Sequence, residues 1–177
     1  MIDHPKWPEN ARQVFDASTI KEALDAQAMR LAERLQGAEN ITLMALMNGG
    51  MIPAAELMKR LPIPMRMDYA HATRYREGRR GGELDWVRLP SQLSGTVVLV
   101  DDIFDEGHTM AAVKARLLDA GADEVITVAT VRKLHDRGLS RDWVDDVALD
   151  VPDEYVFGFG MDIDGLWRQL DSIWSVS

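Results

Sequence analysis

The sequence contains no cysteine. That removes disulfides, thiolate nucleophiles and thiolate metal centres, and it fits a chain working in a reducing compartment. Basic residues are in the minority, with 20 Lys and Arg against 29 Asp and Glu and a net charge of −9. A balance of that sign argues against general binding to nucleic acid or to anionic membranes, yet leaves room for local basic clusters that meet phosphates. No apolar run reaches the roughly 18 residues of a membrane span, and no stretch reads as a secretory leader. The expectation is a soluble, cytoplasmic protein. Internal repeats and low-complexity tracts are absent, as are G-x-x-x-x-G-K-[ST], H-E-x-x-H and G-x-S-x-G. Gly158-Phe159-Gly160 lacks the third glycine of a dinucleotide turn, and none of the four histidines falls at metal-ligand spacing from another. What is present is ordinary for one globular domain: 177 residues, 46% hydrophobic and 28% charged, enough for a sizeable core.

The most informative stretch runs from Val97 to Met110. Val97-Val98-Leu99-Val100 reads as a strand buried on both faces, and it leads directly into Asp101-Asp102-Ile103-Phe104-Asp105-Glu106-Gly107. Met110, Val113, Leu117 and Leu118 then recur at helical spacing, so Gly107, His108 and Thr109 stand at the start of a helix that closes at Gly121. A strand, a tight turn and a helix N-terminus form an anion site, because free backbone N–H groups and the positive end of the helix dipole point at the ligand. An Asp105 or Thr109 cap would explain one acid but not three acids and a glycine turn at one strand end.

Along the chain, residues 1–17 read as an irregular lead-in. Ile20, Leu24, Met29, Leu31 and Leu35 mark a packing helix over about 19–35, capped by Ser18 or Thr19. Residues 41–47 are a second buried strand, ending in Asn48-Gly49-Gly50 ahead of a helix from about Pro53 to Arg60. That glycine turn offers another backbone site for an anion. Residues 63–75 alternate as a strand, and 84–89 read as its returning partner. Between them, Arg76-Glu77-Gly78-Arg79-Arg80-Gly81-Gly82 cannot bury a core and predicts a mobile loop over about 74–84. Glu124–Val131 is a further parallel strand, followed by Arg132-Lys133-Leu134-His135-Asp136-Arg137. Repeated strand, helix, strand units require right-handed crossovers and place these strand ends on one edge. Leu166, Trp167 and Trp174 read as core.

The order of strand, paired acids, two apolar residues, Asp, a glycine-containing turn and Thr resembles the pattern by which type I phosphoribosyltransferases bind phosphoribosyl pyrophosphate (PRPP). The resemblance spans roughly residues 40–170 and is closest to the hypoxanthine-guanine branch. It implies an α/β fold with a twisted, mostly parallel sheet flanked by helices, over a core of about 38–150. A small hood would come from about 1–17 and 150–177, within one domain spanning 1–177. It also implies that Asp101 and Asp102 take the ribose hydroxyls, while Asp105, Glu106, Gly107, His108 and Thr109 cradle the 5′-phosphate, Glu106 with its side chain turned away. Asn48, Gly49 and Gly50 match the pyrophosphate loop, where Asn48 replaces the usual lysine. Arg74 and Tyr75 stand nearest to the family's closing-loop pair.

The same branch supplies the substrate. Lys133 matches the lysine that donates to a purine 6-oxygen, a choice that favours a 6-oxo over a 6-amino base because an amino group offers a donor where an acceptor is needed. Arg137 and Arg168 match pyrophosphate arginines. Tyr155 matches the aromatic that stacks on the base, Val156 the backbone that reads the base edge, and Asp162 the acid that binds Mg²⁺ through water. Asp101 and Asp102 are further candidates for the metal. Asp105 matches the acid that takes a purine ring proton. The expected partners are PRPP and a purine base, with the chain forming a homodimer or homotetramer. The competing readings are a regulatory protein that keeps the PRPP fold and a transferase for another base such as xanthine or orotate.

Overall fold

In the computed structural model, which describes residues 6–74, 84–90 and 92–176, the apolar runs become the middle of a six-stranded sheet. Its members are β2 (Thr42–Met47), β3 (Arg66–Arg74), β4 (Leu84–Arg88), β5 (Thr96–Phe104), β6 (Glu124–Lys133) and β7 (Asp146–Val151). The order is β4-β3-β2-β5-β6-β7, and every neighbouring pair is parallel except β3 with β4, which form the expected hairpin. Alternate residues of the central strands feed two cores, as a sheet covered on both faces requires. Leu43, Val98, Val100, Ile126 and Val128 face α1 (Ala17–Arg34) and α2 (Met51–Arg60) through Ile20, Leu24, Leu31 and Leu57. Met44, Val97, Leu99 and Val125 face α3 (His108–Asp119) through Met110, Val113 and Leu117.

A second, antiparallel sheet joins β1 (Arg12–Phe15), β8 (Tyr155–Phe157) and β9 (Ile173–Val176) in the order β1-β9-β8. Val156, Phe159, Met161 and Ile173 pack it onto the α1 and α2 side of the large sheet. Trp7 meets Phe157, Trp167 and Trp174 edge-on, with ring centres 4.9–5.6 Å apart. Leu166 departs from the core expectation and is exposed, on a turn closed by mutual hydrogen bonds between Ile163 and Leu166. No helix among the described residues is long and apolar enough to cross a membrane.

Several element boundaries differ from the sequence expectation, each for a local reason. Residues 12–15 are a strand rather than irregular lead-in, because Gln13 and Phe15 pair with Trp174 and Ile173 from the far end of the chain. Such a partner overrides weak local propensity. The cap of α1 is Asp16, whose Oδ1 accepts from the Thr19 N–H at 2.8 Å, so the helix begins before Ser18 and Thr19. Helix α2 begins at Met51, leaving Pro53 in the first turn where its missing N–H costs nothing. Strand β6 continues through Lys133, and β7 extends the sheet with a stretch too polar to be recognised from periodicity.

Asp145, just before β7, joins three layers. Its Oδ2 accepts from the Thr127 N–H at 2.9 Å and from the Thr127 hydroxyl at 2.7 Å, while Arg34 of α1 and Lys114 of α3 reach the same carboxylate from opposite faces. Partial burial tends to raise its pKa, but the Thr127 and Arg34 hydrogen bonds and the Lys114 charge bring it below the usual carboxylate range. A depressed folded-state pKa gives stability that is present above the unfolded value, near ~3.9, and is lost as pH falls through the folded value. Asp145→Ala is expected to lower unfolding free energy by about 1–3 kcal/mol, since the Thr127 amide is buried and loses its acceptor. Urea titrations at pH 7 and below pH 4 check this, with the deficit shrinking in acid.

Candidate active site

The carboxyl edge of the large sheet carries the chemistry, as expected for ligands of open α/β sheets. At the end of β5, Asp102 is 7% exposed and Asp101 is partly buried, with the Asp102 N–H donated to Asp101 Oδ1 at 2.9 Å. Burial pushes both carboxyls up, and Asp101 is pushed further by the charge of Asp102. Beyond them Gly107 turns into α3 at φ +77° with no side chain capping the helix. An acceptor for the first-turn amides must therefore come from another side chain, solvent or a ligand, the condition for an anion site. The turn is braced from behind: Leu139 N–H donates to Glu106 O at 3.0 Å, and Gly138 lies so close to the Glu106 backbone that a side chain there would collide.

The second glycine turn reaches the same edge. Gly49 sits against the Asp102 carboxylate with no room for a Cβ, Gly50 N–H donates to Leu46 O at 2.8 Å, and the Met47–Asn48 peptide is cis. From the other side, Gly160 presses on the Gly49 carbonyl. One cavity of about 390 Å³ results, lined by Gly49, Asp101, Asp102, Asp105, Glu106, Gly107, Thr109, Asp162 and Arg168 among others. The two glycine turns, placed together by sequence on one rim, do converge there.

Arg168 neutralises part of this acidic rim. Its Nη2 pairs with Asp162 Oδ1 at 2.5 Å, while Nη1 donates to Gly160 O at 2.6 Å and lies 3.8 Å from Asp102 Oδ2. Asp105 is held on both oxygens, by Lys133 Nζ at 3.0 Å and His135 Nε2 at 2.5 Å. Partial burial acts to raise its pKa, but the hydrogen bonds from His135 and Lys133 and the lysine charge carry it below the usual range. The Tyr155 ring is 52% exposed, with its hydroxyl donated to Asp162 O at 3.0 Å, and Val156 beside it is buried.

Other sequence candidates are placed differently. Arg137 does not line the cavity: both its terminal nitrogens bind Asp153, at 2.6 and 2.7 Å, because that carboxylate stands two residues before Tyr155 and directly in reach. Asn48 and Gly50 flank the cavity without lining it, since Gly50 is buried at the start of α2. Glu106 borders the cavity, and its carboxylate lies 4.0 Å from the exposed His108 imidazole. Arg74 closes β3, with its side chain outside the described residues, as is Tyr75 with the loop expected at 74–84 up to residue 83. Among the described residues, no cluster of three or more acid or imidazole side chains would hold a metal alone. His135, which has no metal-ligand spacing in the sequence, stands against Asp105 two residues beyond Lys133.

An open, mostly parallel sheet with a glycine turn leading into a helix at its carboxyl edge is an arrangement suited to a phosphorylated ligand. The phosphoribosyl transferase domain model matches residues 13–165, and the chain belongs to that family. Bifunctional protein PyrR of Citrifermentans bemidjiense is 31% identical over 134 residues, covering 71% of this chain and 74% of that protein. Hypoxanthine phosphoribosyltransferase of Haemophilus influenzae is 25% identical over 158 residues, covering 86% of each. The solved hypoxanthine phosphoribosyl transferase of Trypanosoma cruzi superposes with a TM-score of 0.83 at 22% identity, covering 98% of this chain and 95% of that one, a likeness of fold.

Because a Cβ at residue 49 would overlap the Asp102 carboxylate, Gly49→Ala forces one of the two turns aside. Overpacking of this kind costs about 1–3 kcal/mol. A matching fall in the urea midpoint at unchanged m-value is the expected outcome.

Proposed function

We propose that this phosphoribosyltransferase moves the 5-phosphoribosyl group of PRPP onto a 6-oxopurine, hypoxanthine or guanine, releasing pyrophosphate and yielding IMP or GMP in purine salvage. The observation that carries this reading is the Lys133–Asp105 pair at the carboxyl edge, beside the glycine turn into α3, with Asp105 lining the cavity that Asp162, the partner of Tyr155, also lines. An ammonium has three donors, so Lys133 can meet a ring carbonyl while remaining near Asp105. Tyr155 is the aromatic on which the base stacks, and Val156 offers its backbone to the base edge.

In the reaction, the purine N9 attacks C1′ as the bond from C1′ to the pyrophosphate oxygen breaks, and its electron pair leaves with pyrophosphate. Asp101 and Asp102 are placed for the ribose hydroxyls, and the amides of Asp105 to Thr109 for the 5′-phosphate. Asp105 takes the purine ring proton. It stays ionised at neutral pH, and its proton affinity rises as Lys133 turns from it toward the base oxygen. Gly49 and Arg168 face the leaving group, where a guanidinium offsets developing charge. The hard carboxylate oxygens of Asp101, Asp102 and Asp162 suit Mg²⁺ held mainly by phosphates and water. When bound, it would supply further charge neutralisation on pyrophosphate.

Relatives named bifunctional protein PyrR match at 29–31% identity, against 25% for the hypoxanthine phosphoribosyltransferase, so the base is tested directly. Spectrophotometric turnover with hypoxanthine, guanine, xanthine and orotate, each with PRPP and Mg²⁺, separates the readings. Activity with hypoxanthine or guanine is expected; activity with xanthine alone, with orotate alone, or with none of the four overturns the proposal. Asp105→Asn is expected to lower kcat by about 10²–10⁴-fold with PRPP affinity retained. Equal loss in both would move Asp105 to a binding role. Lys133→Ala should raise KM for hypoxanthine and guanine while calorimetric PRPP binding stays unchanged.

A further inference from the structure

His135 is nearly enclosed, with 6% of its side chain exposed, and the reaction described above leaves it unused. Both ring nitrogens are engaged. The backbone N–H of Arg137 donates to Nδ1 at 3.1 Å, and Nε2 lies 2.5 Å from Asp105 Oδ1. A backbone amide can only donate, so Nδ1 carries a lone pair and the ring proton sits on Nε2. The imidazole is therefore neutral, and it gives Nε2–H to Asp105. The other carboxylate oxygen, Oδ2, accepts from Lys133 Nζ at 3.0 Å.

These two donors differ in what they do when a substrate arrives. Lys133 carries its ammonium on a flexible four-carbon stem and has donors to share with an incoming carbonyl. His135 is fixed by burial and by the Arg137 amide, and has a single N–H already aimed at Asp105. A carboxylate held by Lys133 alone would rotate once the lysine turned toward the base. Held also by His135, it keeps its plane and position. The same arrangement keeps a second full positive charge away from Asp105, so its basicity is not suppressed further.

We propose that His135 is a positioning residue for Asp105, acting as the neutral Nε2–H tautomer to hold the carboxylate aimed at the purine ring proton while Lys133 engages the base. This role rests on Asp105 being the group that takes that proton. It differs from a packing role in that it acts through one hydrogen bond to one carboxylate.

The test combines substitutions with a direct view of the ring. His135→Leu removes the donor at similar volume. His135→Gln places an amide N–H near the position of Nε2, and His135→Asn is polar but too short to reach Asp105. Misplacing a reacting group by about 1 Å costs on the order of 10²-fold. With hypoxanthine, PRPP and Mg²⁺, the Leu and Asn variants are expected to lose about 10–100-fold in kcat while KM for PRPP stays within about twofold, and Gln is expected to restore most of the loss. In an Asp105→Asn background, His135→Leu should cost no more than about twofold, as two residues acting through one group are not additive. Nitrogen-15 spectra of the unsubstituted protein should show His135 neutral and protonated at Nε2. Unchanged kcat in both Leu and Asn variants, equal loss with Gln, full additivity with Asp105→Asn, or a proton resident on Nδ1 would each overturn the role. A fast Asp105→Asn enzyme would overturn the base assignment and this role with it. A slow Asp105→Asn enzyme beside a fast His135→Leu enzyme would remove His135 alone.

Discussion

Gly49, Asp102 and Gly160 meet with no side-chain carbon between the two backbones and the carboxylate, and that close approach fixes the geometry of the whole rim. It joins the end of β2 to the end of β5, and both to the segment that follows β8. Each segment comes from a different part of the chain, so none could set the spacing alone. Glycine is required because a backbone carbonyl or a buried acid fills the place where a Cβ would stand. The segment after β8 is thereby held against the carboxyl edge of the large sheet, where its Asp162 and Arg168 line the cavity.

A chain with net charge −9 that binds a polyanion must arrange its charges locally. Here the acids of the rim are individually answered. Asp162 and Asp102 share Arg168, Asp105 is shared by Lys133 and His135, and burial pushes the Asp101 and Asp102 carboxyls up. Gly107, the residue before α3, has no side chain with which to cap the helix. The positive end of the helix dipole at that turn favours an anion. The acid-rich composition and an anion site are thus compatible because opposite signs alternate over a few ångströms.

Much of this was legible in the sequence where chemistry and periodicity coincide. The run of β-branched residues into Asp101 and Asp102, and the glycines at 49 and 107, specify backbone geometry by residue type alone, so their convergence could be anticipated. Strand β1 could not, because its only reason to be extended is the pairing of Gln13 and Phe15 with residues some 160 positions later. Arg137 and Asp153 illustrate a second limit: spacing places an arginine near the site, but a nearby carboxylate decides where its guanidinium goes. His135 shows a third. A lone histidine has no signature until folding brings Asp105 to one nitrogen and an amide to the other.

On the function proposed above, phosphate and base recognition fall on separate elements, and this bears on what likeness to other proteins can convey. The turn from β5 into α3 and the turn after β2 would then meet groups common to any phosphoribosyl donor, through backbone amides and glycines. Lys133, His135 and Tyr155 lie instead at the end of β6, just beyond it and on β8, where the chain contributes side chains rather than backbone. On that reading a substitution there would change the acceptor base without disturbing the sheet. Proteins named for a purine transferase and for PyrR both match this chain, as expected if the choice of base rests on a few side chains whose hydrogen-bonding character must suit the ring edge they face.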